Sequence, residues 1–232
     1  MRYDFREKAV EGGLAALALL SLAVLAGIVF YLFREGLPVF ASTGFLDFVF
    51  GTDWYPVGDQ PDFEIGSLIA GSLAVTFLAS LFAVPLGLMT AAYLSEVAAN
   101  TTRRIIKPFI ELLAALPSVV IGFIGMVLVA PWLQNTLGIA TGLNLFNAAL
   151  MLAFMAVPTI CSIAEDALHA VPRSLKDASL ALGATPWETL KNVTFPYALS
   201  GVGTAVMLGM SRALGETMVV LMVAGGAAIV PE

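Results

Sequence analysis

Five long apolar runs divide the chain, and the polar segments between them differ in character. The runs cover residues 10–33, 65–94, 108–133, 145–164 and 197–230. Each is long enough for an α-helix to cross a hydrocarbon core of ~30 Å. The pattern predicts an all-α fold: a polytopic helical membrane protein with five spans, forming a single transmembrane domain over residues 1–232. The second run opens on Gly66, Ser67, Gly71 and Ser72, small residues that let helices approach closely. Pro85, Gly87, Pro117 and Pro158 inside the runs predict bends.

The segment 34–64 mixes acids (Asp47, Asp53, Asp59, Asp62, Glu64) with Phe45, Phe48, Phe50, Trp54 and Tyr55. That mixture has the character of an outer loop lying in the membrane interface. Residues 95–107 carry Arg103, Arg104 and Lys107, whereas 135–144 carry no charge. Glu111 reads as interfacial, and Glu165 and Asp166 as solvated acids at a membrane edge. Residues 165–196 are the longest water-compatible helical stretch. Pro172 is placed to open a first short helix, with Leu175, Ala178, Ser179 and Leu182 on one narrow apolar-to-small face. Gly183 is placed as a left-handed cap. Thr185, Pro186 and Glu188 predict a capping box at the start of a second helix, which Pro196 ends. Such a capped hairpin between two spans suits docking onto a partner. A well-formed loop with no partner fits the same features.

Composition agrees with the pattern. Of 232 residues, 59% are hydrophobic and 12% charged, against ~25% charged in soluble domains. A net charge of −6 argues against nucleic acid as a partner. A single cysteine, Cys161, excludes a disulfide within the chain and reads as packing. The lone His169 has no second ligand at metal-binding spacing. No Gly-Lys dipeptide occurs, so there is no P-loop. The first apolar run is too long for the core of a cleavable signal, so it is expected to stay as a span. No His cluster, Ser-Lys pair or paired intramembrane Asp suggests an enzyme.

Charge sets the orientation. Arg2, Arg6 and Lys8 precede the first run, three bases lie in 95–107, and Arg173, Lys176 and Lys191 lie in the hairpin; the outer loops hold only Arg34. The bias predicts a cytoplasmic N-terminus and a cytoplasmic hairpin.

The remaining base, Arg212, falls near the middle of the fifth run. A charge at the bilayer centre costs on the order of 2.5–3.5 kcal/mol on insertion scales, so it should face a cavity or a partner. Glu216 follows at i+4, on the same face of a continuous helix. Gly209, Ser211, Gly215 and Thr217 around them leave room for water or solute. Two readings stand open. The pair is a structural ion bridge, or Arg212 presents its fork to a tetrahedral oxyanion while Glu216 orients it or couples gating, with Ser211 and Thr217 beside the path.

The stretch DASLALGATPWETLKNVTFP (177–196) resembles the EAA-type loop of ABC importer permeases, through Asp177-Ala178-Ser179, Gly183 and Phe195-Pro196. Asp177 stands where many members have Glu. The resemblance implies that Asp177, Ala178, Ser179, Gly183, Ala184 and Thr185 belong to a coupling helix seated on an ATPase subunit. SRALGETM (211–218), ELLAALPSVVIGFIG (111–125), TDWYPV (52–57) and IGSLIAGSLAVTFLASLFAVPLG (65–87) together resemble the PstC-type permease family of phosphate-specific ABC importers, over essentially the whole chain. That narrower resemblance implies the MetI-like permease fold, functional roles for Arg212 and Glu216, and location in a bacterial inner membrane. The implied partners are a PstA-like permease, two PstB-like ATPase subunits that hold the ATP-Mg, a PstS-like phosphate-binding protein, inorganic phosphate and membrane lipid. No cofactor or catalytic activity is expected on this chain itself. Members ordinarily have six spans. With five here, a sixth is expected to be missing after Glu232, leaving the C-terminus outside. A permease for sulfate or molybdate, or a channel or ion-coupled transporter, remains the alternative.

Overall fold

The computed structural model describes residues 2–56 and 61–225. The tail of the fifth apolar run, and Val57 and Asp59 of the outer loop, lie outside them. The chain divides into two units, Met1–Ser67 and Leu68–Glu232.

In the first unit, α1 (Arg2–Gly36) runs unbroken through the first apolar stretch, and every side chain from Glu7 to Gly36 is exposed. A long helix apolar all round is one built for lipid. After it come α2 (Val39–Ser42), α3 (Phe45–Phe50) and a two-stranded antiparallel pair, β1 (Trp54–Tyr55) and β2 (Asp62–Phe63), with Trp54 opposite Phe63. The aromatic residues of this segment pack on one another: Phe40 on Phe48, with ring centroids 4.9 Å apart, and Trp54 edge-on to Phe63 at 6.4 Å. Glu64 folds back to accept a hydrogen bond from the Asp53 N–H at 2.9 Å. Gly51 makes that possible, because a Cβ there would lie 2.1 Å from the Glu64 carboxyl carbon.

From the second apolar run onward the chain is helical. It comprises α4 (Gly66–Ala92), α5 (Asn100–Ala114), α6 (Ser118–Ile124), α7 (Ala130–Leu137), α8 (Leu145–His169), α9 (Arg173–Ala181), α10 (Pro186–Thr189), α11 (Phe195–Tyr197), α12 (Leu199–Leu214) and α13 (Met218–Val223). π-Helical turns extend α4 over 93–97, join α6 to α7 and join α10 to α11. Among the described residues four stretches are long and apolar enough to cross a membrane: Glu7–Gly36, Gly66–Val97, Ser118–Leu137 and Leu145–His169. A fifth is reached only if Pro186–Tyr197 and Leu199–Leu214, which meet at 74°, count as one span. The chain turns at Ala198; helical backbone runs through Pro196, so that proline does not end the hairpin.

Two apolar runs that read as continuous helices are interrupted. The third stops at Ala114 and resumes at Ser118, with Pro117 extended at ψ 133°. A proline disfavours helical backbone at the residue before it, and here the turn opens at Leu116. The fifth stops at Leu214 and resumes at Met218. Pro85 and Pro158, by contrast, sit inside unbroken helices.

The core forms around α8. Ala148, Ala149, Leu152, Ala153, Met155, Ala156 and Ile160 on it are buried against Val75, Ala79 and Ala83 of α4, Ile121 of α6, Ala213 of α12, and Val219 and Val223 of α13. Farther along, Cys161, Ala164 and Leu168 pack with Ala91, Leu94, Ala198, Val202 and Ala205. So many alanines allow close backbone approach, the usual route to helix association where lipid removes the hydrophobic drive. Ile160 shows how tight it is: a Cβ on Gly209 would lie 2.3 Å from its Cγ1, and one on Gly87 2.8 Å from its Cγ2.

Candidate functional site

Arg212 lies in the last turn of α12, half-buried, and its guanidinium reaches two other elements. Nη2 donates to the Ala114 carbonyl at 2.7 Å, and Nη1 donates to Thr159 Oγ1 of α8 at 3.3 Å. Ala114 is the last residue of α5, so its carbonyl is one of those a helix end leaves without an intrahelical partner. The arginine therefore bridges one helix break to the other. Past the breaks, α6 and α13 lie together: a Cβ on Gly122 would meet Met222 Sδ at 2.9 Å and Val219 Cα at 3.3 Å. Thr159 is about 21 Å along α8 from Leu145 and about 15 Å from His169, at 1.5 Å per residue. The two interruptions thus face one another at mid-length of the central helix.

Glu216 does not stack on Arg212. The helix that would carry it one turn on ends at Leu214, and Glu216 sits half-buried in the gap, with its N–H donating to the Ala213 carbonyl at 3.4 Å. Among the described residues Arg212 makes no ion pair. Its acceptors are a neutral carbonyl and a neutral hydroxyl, so its charge stays available to an anion. Ser211 and Thr217 are exposed on either side.

The hairpin closes as its sequence dictates. Gly183 adopts φ +89° at the break. Thr185 Oγ1 accepts from the Glu188 N–H, and the Glu188 carboxylate accepts from the Thr185 N–H at 2.8 Å, a complete capping box with Pro186 in the first turn. Pro172 stands one residue outside α9 and serves as its N-cap. Ser179 meets Thr189 across the turn at 2.9 Å. Asp177, Ala178, Gly183 and Thr185 are exposed, Ser179 and Ala184 half-buried. Leu182 (91% exposed) and Trp187 (69%) stand out from the tip.

The Thr185 backbone N–H, and then its hydroxyl, hold the Glu188 carboxyl below its ordinary range. A depressed carboxylate contributes stability above its unfolded value, and the contribution fades as pH falls through the folded value. The second helix of the hairpin is therefore expected to fray only in acid, below the usual carboxylate range. Amide exchange at 187–189 followed against pH measures this, and Glu188→Gln should remove the dependence.

The same end of the bundle holds an ion network that the sequence did not reveal. Glu165 is 1% exposed, not solvated, and its carboxylate lies 2.5 Å from Arg103 and 2.8 Å from Lys107 of α5. Lys107 also bonds Asp166, which alone of the two acids faces out. Lys176 of α9 donates to Glu96, beyond α4, at 2.6 Å. The i, i+4 spacing of Arg103 and Lys107 was the available signal; their partner is about 60 residues away in sequence, beyond any local rule. Among the described residues no three His, Cys, Asp or Glu side chains converge on a metal-sized site.

A polytopic helical bundle with interrupted helices around a guanidinium that, among the described residues, makes no ion pair, and a hairpin at one end, is a membrane permease in class. Residues 83–230 match the family model described as binding-protein-dependent transport system inner membrane component. The chain is 39% identical over 219 residues (94% of this chain, 71% of the relative) to a Bacillus subtilis protein named "Probable ABC transporter permease protein YqgH". It is 36% identical to the phosphate transport system permease protein PstC of Pasteurella multocida, over 92% of this chain and 71% of that one. A solved inward-facing structure of the MetNI methionine ABC transporter superposes with TM-score 0.54 at 26% identity, covering 62% of this chain and 67% of that one. The chain belongs to the binding-protein-dependent transport system inner membrane component family.

Proposed function

We infer that this chain is the membrane-spanning permease subunit of an ATP-driven phosphate importer and forms half of the translocation pathway. The observation that carries the substrate is similarity along nearly the whole chain to proteins named as phosphate transport permeases, 35–36% identical over 91–92% of its length. The guanidinium is in keeping with it: a charged fork held by neutral acceptors suits a tetrahedral oxyanion.

In this reading the solute passes Arg212, with Glu216, Ser211 and Thr217 lining the same gap. The hairpin of Asp177, Ala178, Ser179, Gly183, Ala184 and Thr185 takes up movement from an ATPase subunit. Its exposed Leu182 and Trp187 supply apolar contact, and Lys176 and Glu96 pass the displacement to the end of α4. The partners are a PstA-like permease, PstB-like ATPases that hydrolyse the ATP, and a PstS-like binding protein that delivers phosphate. The protein itself catalyses no bond cleavage and binds no cofactor. It lies in the inner membrane with its N-terminus and hairpin cytoplasmic.

ATP-dependent uptake of labelled phosphate into proteoliposomes holding the four components tests the reading. Uptake driven by ATP and not competed by sulfate is the expected result. Uptake of sulfate in preference, or transport indifferent to nucleotide, overturns it. Gly183→Val probes the coupling: a β-branched residue forced to φ +89° costs on the order of 1–2 kcal/mol. It should release the ATPase on co-purification while the membrane chain still accumulates.

A further inference from the structure

We propose that Thr159 is a substrate-positioning residue: its hydroxyl, held beside Arg212, is the second donor to the transported oxyanion. This rests on the reading of Arg212 as the pathway arginine. Some hydroxyls inside the other helices of this chain give their proton to a carbonyl one turn back, as Ser80 does to Phe77 at 2.7 Å, Thr90 to Leu86 at 2.7 Å and Thr204 to Ser200 at 2.9 Å. That is the ordinary way to satisfy a hydroxyl in a membrane helix. Thr159 does not do this. Among the described residues its one hydrogen bond is accepted, from Arg212 Nη1 at 3.3 Å, which leaves its own O–H proton to give.

Position adds to the case. Thr159 is half-buried near mid-length of α8, between the fully buried Pro158 and Ile160. Ile160 is wedged between Gly87 and Gly209, so the helix cannot turn Thr159 away without forcing those backbones apart. Arg212 and Thr159 are therefore presented together by two helices in tight register. An anion bound at the fork would receive N–H from Arg212 and O–H from Thr159. One of the two Nη2 hydrogens is held by the Ala114 carbonyl, which fixes the plane of the guanidinium and leaves its other N–H groups to the anion. A hydroxyl set against a charged group is worth roughly tenfold in rate or affinity.

The test is uptake by the complete importer in proteoliposomes with the external binding protein saturating, so that capture outside does not limit the rate. Thr159→Val, which keeps shape and loses the hydroxyl, should lower the maximal uptake rate roughly tenfold, and Thr159→Ser should recover most of it. If valine impairs assembly of the complex, Thr159→Ala serves, since it adds no volume. Wild-type rates in the valine or alanine variant overturn the proposal. So does an equal loss in the serine variant, which would mean that the methyl packs and the hydroxyl does nothing. Absence of phosphate uptake by the wild type would instead overturn the functional reading on which the proposal rests.

Discussion

Arg212→Lys is expected to lower ATP-driven phosphate uptake at least tenfold, and Arg212→Ala by about a hundredfold or more. Lysine keeps the charge but cannot present two parallel N–H bonds to one anion. Hydrogen bonds to charged groups are worth about 1.5–3 kcal/mol each, so losing one of two gives the smaller figure and losing both the larger. Alanine also strips the Ala114 carbonyl and the Thr159 hydroxyl of their common donor. Initial rates in proteoliposomes measure both variants, with recovery of the assembled complex as the control. Full transport by the lysine variant would show that the fork is not used.

Glu165→Gln is expected to destabilise the protein by about 3 kcal/mol, the lower end of what breaking a buried ion pair costs. The lower end applies because the side chains of Arg103 and Lys107 remain 20% and 23% exposed, so water screens what is left behind. Lys107 keeps Asp166 as a partner; among the described residues Arg103 keeps His169 alone. Adding Arg103→Gln to Glu165→Gln should therefore recover part of the loss. Apparent melting temperature in detergent reads both. An unchanged melting temperature in the single variant would mean that the two cations do not need the carboxylate. The consequence reaches beyond stability, since these pairs join α5 to α8 at the end that carries the hairpin. The other end of α5 is where Arg212 holds the Ala114 carbonyl.

Much of this chain was legible in its sequence. Hydropathy alone gave the membrane class and the helical runs, because a span is a local property: some twenty apolar residues suffice wherever they lie. The hairpin was equally local. The positive φ of Gly183 and the box between Thr185 and Glu188 depend on neighbours within a few residues, and the sequence placed both correctly.

What local rules missed were the interruptions and the distant partners. Leu116 before Pro117 reads as a kink in a single span, and whether a kink or a full break results depends on what else can satisfy the carbonyl that a full break exposes. At Ala114 it is satisfied by Arg212, 98 residues away. The same arginine read as half of an i, i+4 pair with Glu216 only while α12 was taken to be continuous. Glu165 read as a solvated acid because sequence shows the hydropathy of a residue's neighbours in the chain, whereas burial is decided by its neighbours in space. Sequence by itself thus settled which segments are helical, which are apolar and where the capped turn lies, all outcomes of backbone geometry and of hydrophobicity over a single stretch. Tertiary structure alone decided where helices open and which charges are paired, because an unsatisfied carbonyl or carboxylate in a low-dielectric interior must find a partner, and that partner comes from another part of the chain.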